Sequence, residues 1–223
     1  VLALGPLYYY KLDAASGSQL DSSGHSYTLT TTGGSGYVFQ VAGLIPTSSD
    51  TACNVGGAGG NSTNSGAVPF TGNAMTIIAW INTLTSSSIA HITMANVGAS
   101  SAQQLLQFRL SAGVLQGILI DNTGGHVAHT AAGSGSLSDG KNHMVAMTWD
   151  GTTITLYVDG VVNGAPLVGA FTMNAMSCQL GIGSSVGLVS GNNIGGTIDE
   201  AAGWLSTLTA AQISHLYSLA TTT

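Results

Sequence analysis

Charge is what this 223-residue sequence has least of. Three Lys and Arg stand against nine Asp and Glu, so 5% of the residues are charged, where an ordinary globular domain carries about 25%. Lys11, Arg109 and Lys141 are the whole cationic inventory. No basic patch can therefore neutralise phosphates and release counterions, which excludes a nucleic-acid-binding protein. Charge-driven disorder is excluded as well, because 44% of the residues are hydrophobic. Long apolar runs are missing. Segments 75–81 and 114–120 are the longest and fall far short of the ~20 residues a membrane-spanning helix needs, so no membrane insertion is expected. Nor does a basic region followed by an apolar stretch open the chain, so no targeting segment is read there. Proline is scarce, with four residues, and no Pro/Ser linker divides the chain. The Gly/Ser/Asn-rich stretch 56–66 reads as a loop inside one domain spanning residues 1–223. The two cysteines, Cys53 and Cys178, allow either one disulfide or two buried thiols. The 32 glycines show no three-residue repeat, which excludes collagen.

What is present is Ser, Thr, Asn and Gly, which keep the surface polar without ions. Such a surface suits extracellular or virion proteins and assemblies that bury much of their surface. The dominant pattern is period-two alternation broken by turn residues. His143, Val145, Met147 and Trp149 alternate with Met144, Ala146 and Thr148 up to Asp150-Gly151. Ile154, Leu156 and Val158 then return to Asp159-Gly160. Both Asp-Gly pairs predict type I′ turns, which need positive φ at both central positions. Further strands are expected at 7–12, 75–82, 89–95, 104–110, 114–120, 126–131, 179–182 and 196–204. The run 75–81 is apolar on both faces, as in a central strand covered on both sides. One helix is expected at the C-terminus. Thr209 and Gln212 form a capping box, and Ile213, Leu216, Tyr217 and Ala220 share one face of the helix that follows. Many short strands and one terminal helix predict a two-sheet antiparallel sandwich.

Several segments taken together resemble a known family. They are Tyr9-Tyr10-Lys11-Leu12-Asp13 with Leu20-Asp21-Ser22-Ser23-Gly24, Met75 to Ile81 with its Ala79-Trp80 pair, and His143 through Trp149-Asp150-Gly151 to Asp159-Gly160. Ile194-Gly195-Gly196-Thr197-Ile198-Asp199-Glu200 and Leu208 to Tyr217 complete the series. In this order they resemble the laminin G-like branch of the concanavalin A-like jelly-roll superfamily. The resemblance implies an all-β, two-sheet jelly roll with rim loops that bind ligands in some members. Members include lectins, adhesion modules, glycanases and domains of phage and viral particles, so the fold leaves function open.

Retaining glycoside hydrolysis needs two carboxyls about 5 Å apart. The chain has one Glu, Glu200, and its neighbour Asp199 is expected on the opposite face of a strand. Asp150 and Asp159 are used in turns. No catalytic residues are assigned, and the chain is expected not to be an enzyme. Gly183-Ser184-Ser185-Val186-Gly187 matches a nucleophile elbow, but no helix follows it. The resemblance implies calcium as the one candidate cofactor, held by Asp199 with Asp13 or Asp21. The competing reading is that Asp199 binds backbone groups and Asp21 forms an Asx-type turn. Zinc is not expected: His126 and His129 fall on opposite faces of a strand, and His143 and His215 read as structural. Trp80, Trp149 and Trp204 read as core. Exposed loop residues such as Asn122, His126, Asn192 and Asn193 are better placed to meet a ligand. Asn61-Ser62-Thr63 is a lone glycosylation sequon.

Two functions are expected ahead of any hydrolase. The first is a structural component on a virion surface, a capsid decoration or tail protein whose partners are capsid or tail proteins or further copies of itself, with contacts to host glycans. The second is an extracellular carbohydrate-binding or adhesion module of a larger protein.

Overall fold

The hairpins predicted around Trp149 organise one of two sheets. In the computed structural model the described residues are 1–32, 36–56, 61–64, 68–70, 74–86, 89–96, 104–121, 127–169, 173, 175–183 and 194–222. In chain order the strands are β1 (Tyr8–Tyr10), β2 (Leu29–Thr32), β3 (Tyr37–Ala42), β4 (Thr51–Val55), β5 (Asn61–Asn64) and β6 (Val68–Phe70). Next come β7 (Met75–Thr83), β8 (Ile89–Asn96), β9 (Gln104–Ser111), β10 (Val114–Ile120), β11 (Ala128–Ala132) and β12 (His143–Trp149). The series ends with β13 (Thr153–Val158), β14 (Val161–Val162), β15 (Leu167–Val168), β16 (Met176–Ile182), β17 (Gly196–Trp204) and the helix α1 (Ala210–Thr221). The first sheet runs β14-β13-β12-β7-β17-β4-β3, with β1 also on β17 and β15 on β13. The second runs β11-β10-β9-β8-β16-β5-β2, with β6 on β16. The strand pairs are antiparallel. The chain is thus the expected all-β two-sheet jelly roll with one C-terminal helix.

The alternation of apolar residues sorts them between two cores. Inward-facing residues of both sheets, among them Tyr10, Phe70, Ile77, Ile81, Phe108, Leu115, Trp149 and Ile198, form the core between the sheets. The other face of the first sheet is also covered. Ile78, Trp80, Met144, Ala202 and Trp204 pack there under Ile213, Leu216 and Tyr217 of α1 and against Leu4, Leu44 and Ile45. This second core explains why 75–81 is apolar on both faces: β7 is buried from Met75 to Ile81. Burying a large apolar side chain is worth roughly 1.5–3 kcal/mol, so two rows on one strand outweigh anything its few polar atoms contribute. All three tryptophans are buried, but Trp149 belongs to the core between the sheets, whereas Trp80 and Trp204 lie beneath the helix.

Local signals held where a specific side chain enforces them. At Asp159-Gly160 both residues have positive φ, 52° and 80°, as a type I′ turn requires. At Asp150-Gly151 only the glycine does, at 95°. There the Asp150 carboxylate accepts the Thr152 and Thr153 N–H groups at 2.9 and 2.7 Å, so an Asx-type turn replaces the expected type I′ turn. The capping box forms as predicted: Gln212 N–H donates to Thr209 Oγ1 (3.2 Å), and Thr209 N–H donates to Gln212 Oε1 (2.8 Å). Stretch 56–66, read as a loop, contains β5, whose backbone pairs with β2 and β16. Pairing on both edges, rather than side-chain propensity, makes this polar segment a strand. The sequon Asn61-Ser62-Thr63 therefore lies in a strand. Cys53 and Cys178 are both buried free thiols, on the first and second sheet respectively. Burial pushes both thiols up to about 12.

Thr209→Ala removes the hydroxyl half of the capping box, and with it the helix that roofs the second core loses its start signal. We expect a loss of about 1 kcal/mol, read as a drop in thermal midpoint of about 2–4 °C.

Candidate functional site

On the helix-covered side of the first sheet, strand β17 departs from regular pairing. Asp199 is opposite Trp80 of β7, but Ala202, three residues on, is opposite Ile78, two residues back. The extra residue makes a β-bulge, and Glu200 takes it up with φ of 52°. Ile198 and Ala201 point into the core between the sheets, and Ala202 faces the helix side. Asp199 and Glu200 therefore share the helix side, since their partners Leu44 and Tyr9 both belong to that core. The expectation of opposite faces fails because strict alternation ends at a bulge.

Both carboxyls are buried. Asp199 Oδ2 accepts the Leu44 N–H at 2.9 Å, while Oδ1 has no partner among the described residues. Gly43 allows the 43–50 loop to close over it: a Cβ there would stand 2.5 Å from the Asp50 carbonyl oxygen and 3.6 Å from Asp199 Oδ2. Glu200, 7% exposed, accepts the hydroxyl proton of Tyr9. Burial pushes both carboxyls up to about 7; the nearby Asp50 adds to both, and Glu200 adds to Asp199. Lys11 opposes the rise at Glu200. Beside Glu200 a cleft of about 320 Å³ opens between the sheet, α1 and residues 45–50. Ile78, Trp80, Met144, Ala202 and Trp204 form its floor, and Tyr9, Lys11, Asp50 and Glu200 its polar end.

The acids named for calcium, Asp13, Asp21 and Asp199, have different surroundings. Asp21 uses both oxygens internally, accepting from Tyr9 N–H, Ser23 N–H and Tyr27 N–H at 3.0, 2.9 and 3.1 Å, and from the Ser23 hydroxyl. This is the Asx-type turn. Asp13 is exposed. Among the described residues no three His, Cys, Asp or Glu are grouped to hold a metal ion. Of the histidines, His143 lies between Asp159 (2.8 Å) and Asp139 (3.2 Å), which hold its pKa above the ordinary value. His215 is exposed on α1. Asn122, His126, Asn192, Asn193 and residues 184–187 of the Gly183 motif lie outside the described residues.

The second sheet presents a different surface. The helix and the N-terminal turn pack on the first sheet. On the outward side of the second, Gln107 and Arg109 of β9 stand beside Ile118 and Gln116 of β10, followed by Thr130 and Ala132 of β11. Arg109 donates from Nε to Gln116 Oε1 (3.2 Å) and from Nη1 to Gln107 Oε1 (3.1 Å). All nine carboxylates of the chain lie among the described residues. The ion pairs there join Asp139 to Lys141 and His143, and Asp159 to His143, so none reaches Arg109. Sequence reasoning missed this ladder, although the period-two pattern of 104–110 and 114–120 already placed Gln107, Arg109 and Gln116 on alternate positions.

The profile of the concanavalin A-like lectin/glucanases superfamily matches residues 55–214. The chain belongs to that superfamily. Solved structures resemble it at low identity. The binding domain of Paraclostridial mosquitocidal protein 1 superposes with a TM-score of 0.69 at 12% identity, over 98% of this chain and 53% of that one. The botulinum neurotoxin type G receptor-binding domain gives 0.68 at 13%, over 96% and 51%. The botulinum neurotoxin serotype D ligand-binding domain, solved with N-acetylneuraminic acid, gives 0.64 at 12%, over 96% and 50%. The chain thus spans about half the length of these structures. No curated protein sequence matches it. In this superfamily member the two sheets are used unequally: one is sealed by a helix over buried carboxyls, and the other carries an outward polar ladder.

The buried acids set the pH dependence of stability. Their folded pKa values, about 7, exceed the ordinary 3.8 and 4.5, so each contribution is complete below the ordinary value and lost as pH rises through 7. His143, also raised, acts in the same direction from about 6.5 upward. Asp139 and Asp150, held below the ordinary value by backbone N–H groups, act oppositely and only in stronger acid. Thermal midpoints are therefore expected to peak near pH 4–5 and fall by pH 8. Asp199→Asn removes on the order of 2–3 kcal/mol of that decline and flattens the profile between pH 5 and 8. A profile unchanged by the substitution would contradict the assignment.

Proposed function

We propose that the chain is a non-enzymatic carbohydrate-binding or adhesion module of a larger extracellular protein, and that its recognition surface is the Gln107–Arg109–Gln116 ladder of the second sheet. Membership of the lectin/glucanases superfamily carries this reading. The ladder supplies what sugar hydroxyls need: amide and guanidinium groups tied to each other by hydrogen bonds. Arg109 keeps N–H donors beyond those given to the two glutamines, and Thr130 and Ala132 beside them are exposed.

Binding is favoured over hydrolysis by the state of the acids. Glu200 is tied to Tyr9, and Asp199 is sealed beneath Leu44, so the two carboxyls of the bulge do not flank an accessible bond. The module reading is favoured over a virion component because the structural relatives named above are binding domains of about twice this length. The serotype D domain was solved with an acidic sugar. The uncompensated guanidinium of Arg109 gives this chain a place for a sugar carboxylate as well as for neutral hydroxyls.

A glycan microarray followed by titration tests the proposal. Binding to a defined set of glycans is expected, weakened about tenfold or more by Arg109→Ala with Gln116→Ala, at an unchanged melting temperature. Absence of glycan binding, together with co-sedimentation of the chain with viral particles, would replace this reading by the virion one.

A further inference from the structure

The cleft beneath α1 lies on the sheet opposite the ladder, and its chemistry is of another kind. At about 320 Å³ it falls at the small end of the range for small-molecule sites, about 300–1,000 Å³. Most of its lining is apolar: Ile78, Met144 and Trp204 below, Leu216 and Leu219 of the helix beside them. Tyr217 stacks on one face of Trp80 at 5.8 Å, and Trp80 is 4% exposed. The cleft therefore does not offer the open aromatic platform that a sugar ring uses.

The polar end is unbalanced in charge. Asp50 and Glu200 line it, the neighbouring Asp199 is buried, and among the described residues Lys11 is the one side-chain cation lining it. Ionised carboxyls in a site shielded from water require a counter-charge. An anionic ligand is repelled there, and a neutral one leaves the charge uncompensated. A metal ion would leave the apolar part of the cleft empty. A ligand with a cationic head and an apolar body satisfies both ends at once.

We infer that this cleft binds a small organic ammonium, an arylalkyl or short alkyl amine, with its N–H groups donated to the Glu200 and Asp50 carboxylates and its apolar body lying between Met144, Trp204 and Leu216. The site is separate from the glycan surface and stands whether or not glycans bind. Lys11 is the resident competitor for the same carboxylates, so the two charges at the mouth have opposite effects on affinity.

Titration of the whole chain with 2-phenylethylamine, 2-phenylethanol and phenylacetate, read by tryptophan fluorescence and calorimetry at about pH 8, tests the inference. The amine is expected to bind about tenfold or more tightly than the alcohol, and phenylacetate not at all. Glu200→Gln should remove that preference, and Lys11→Met should strengthen amine binding several-fold. A fall in one variant and a rise in the other cannot arise from loosened packing, and melting curves of both verify folding. Leu216→Trp, which fills the cleft, should abolish binding of amine and alcohol alike. Equal affinity for amine and alcohol, indifference to Glu200→Gln, or no saturable amine binding at millimolar concentration would each overturn the inference.

Discussion

Strand β7 must be covered twice, and much of the structure follows from that constraint. Met75, Ile77, Ala79 and Ile81 fill the space between the sheets, while Ile78 and Trp80 project the other way. An open sandwich would leave the second row in water. The C-terminal helix, the turn at Leu2–Leu4 and the 43–50 loop are the covers. Each is placed by contact with the same few side chains: Tyr217 stacks on Trp80, and Trp204 Nε1 donates to the Leu4 carbonyl at 3.1 Å. Covering one sheet this way leaves the other as the face where polar side chains can remain in water.

The cover is also why the acids behave as they do. A carboxyl on an exposed strand would ionise at its ordinary pKa. Placed under Leu44 and beside Tyr9, Asp199 and Glu200 lose water, Glu200 raises the affinity of Asp199 for a proton, and Asp50 raises that of both. The bulge at Glu200 brings them to one side, and Gly43 permits the loop to close over them. The acid pair, the cleft and the pH dependence are thus consequences of one packing arrangement rather than separate features.

Much of the fold was legible because its signals are local or repetitive. Strands β10 and β12 follow directly from alternation, the turn at Asp159-Gly160 from the φ its residues can adopt, and the start of α1 from Thr209 and Gln212. Strands β2 to β6 were not legible, since their short, mixed segments become strands by pairing with distant partners. The candidate sites were legible only as composition. Nothing local announces that Glu200, a residue with no special tolerance for positive φ, will occupy the bulge, so adjacency in sequence pointed to the wrong face. Asp21 was legible as a turn, and it remains one.

By itself the sequence determined the all-β class, the scarcity of cations, and the placing of Asp21, Asp150 and Asp159 in turns. All of these rest on residue type, spacing and short-range geometry. Only the tertiary structure decided which side of β17 carries both Asp199 and Glu200, that Cys53 and Cys178 belong to different sheets, and that Arg109 lies in a ladder with two glutamines. Those outcomes depend on strand register and on what packs over each sheet, and residues far apart along the chain set both.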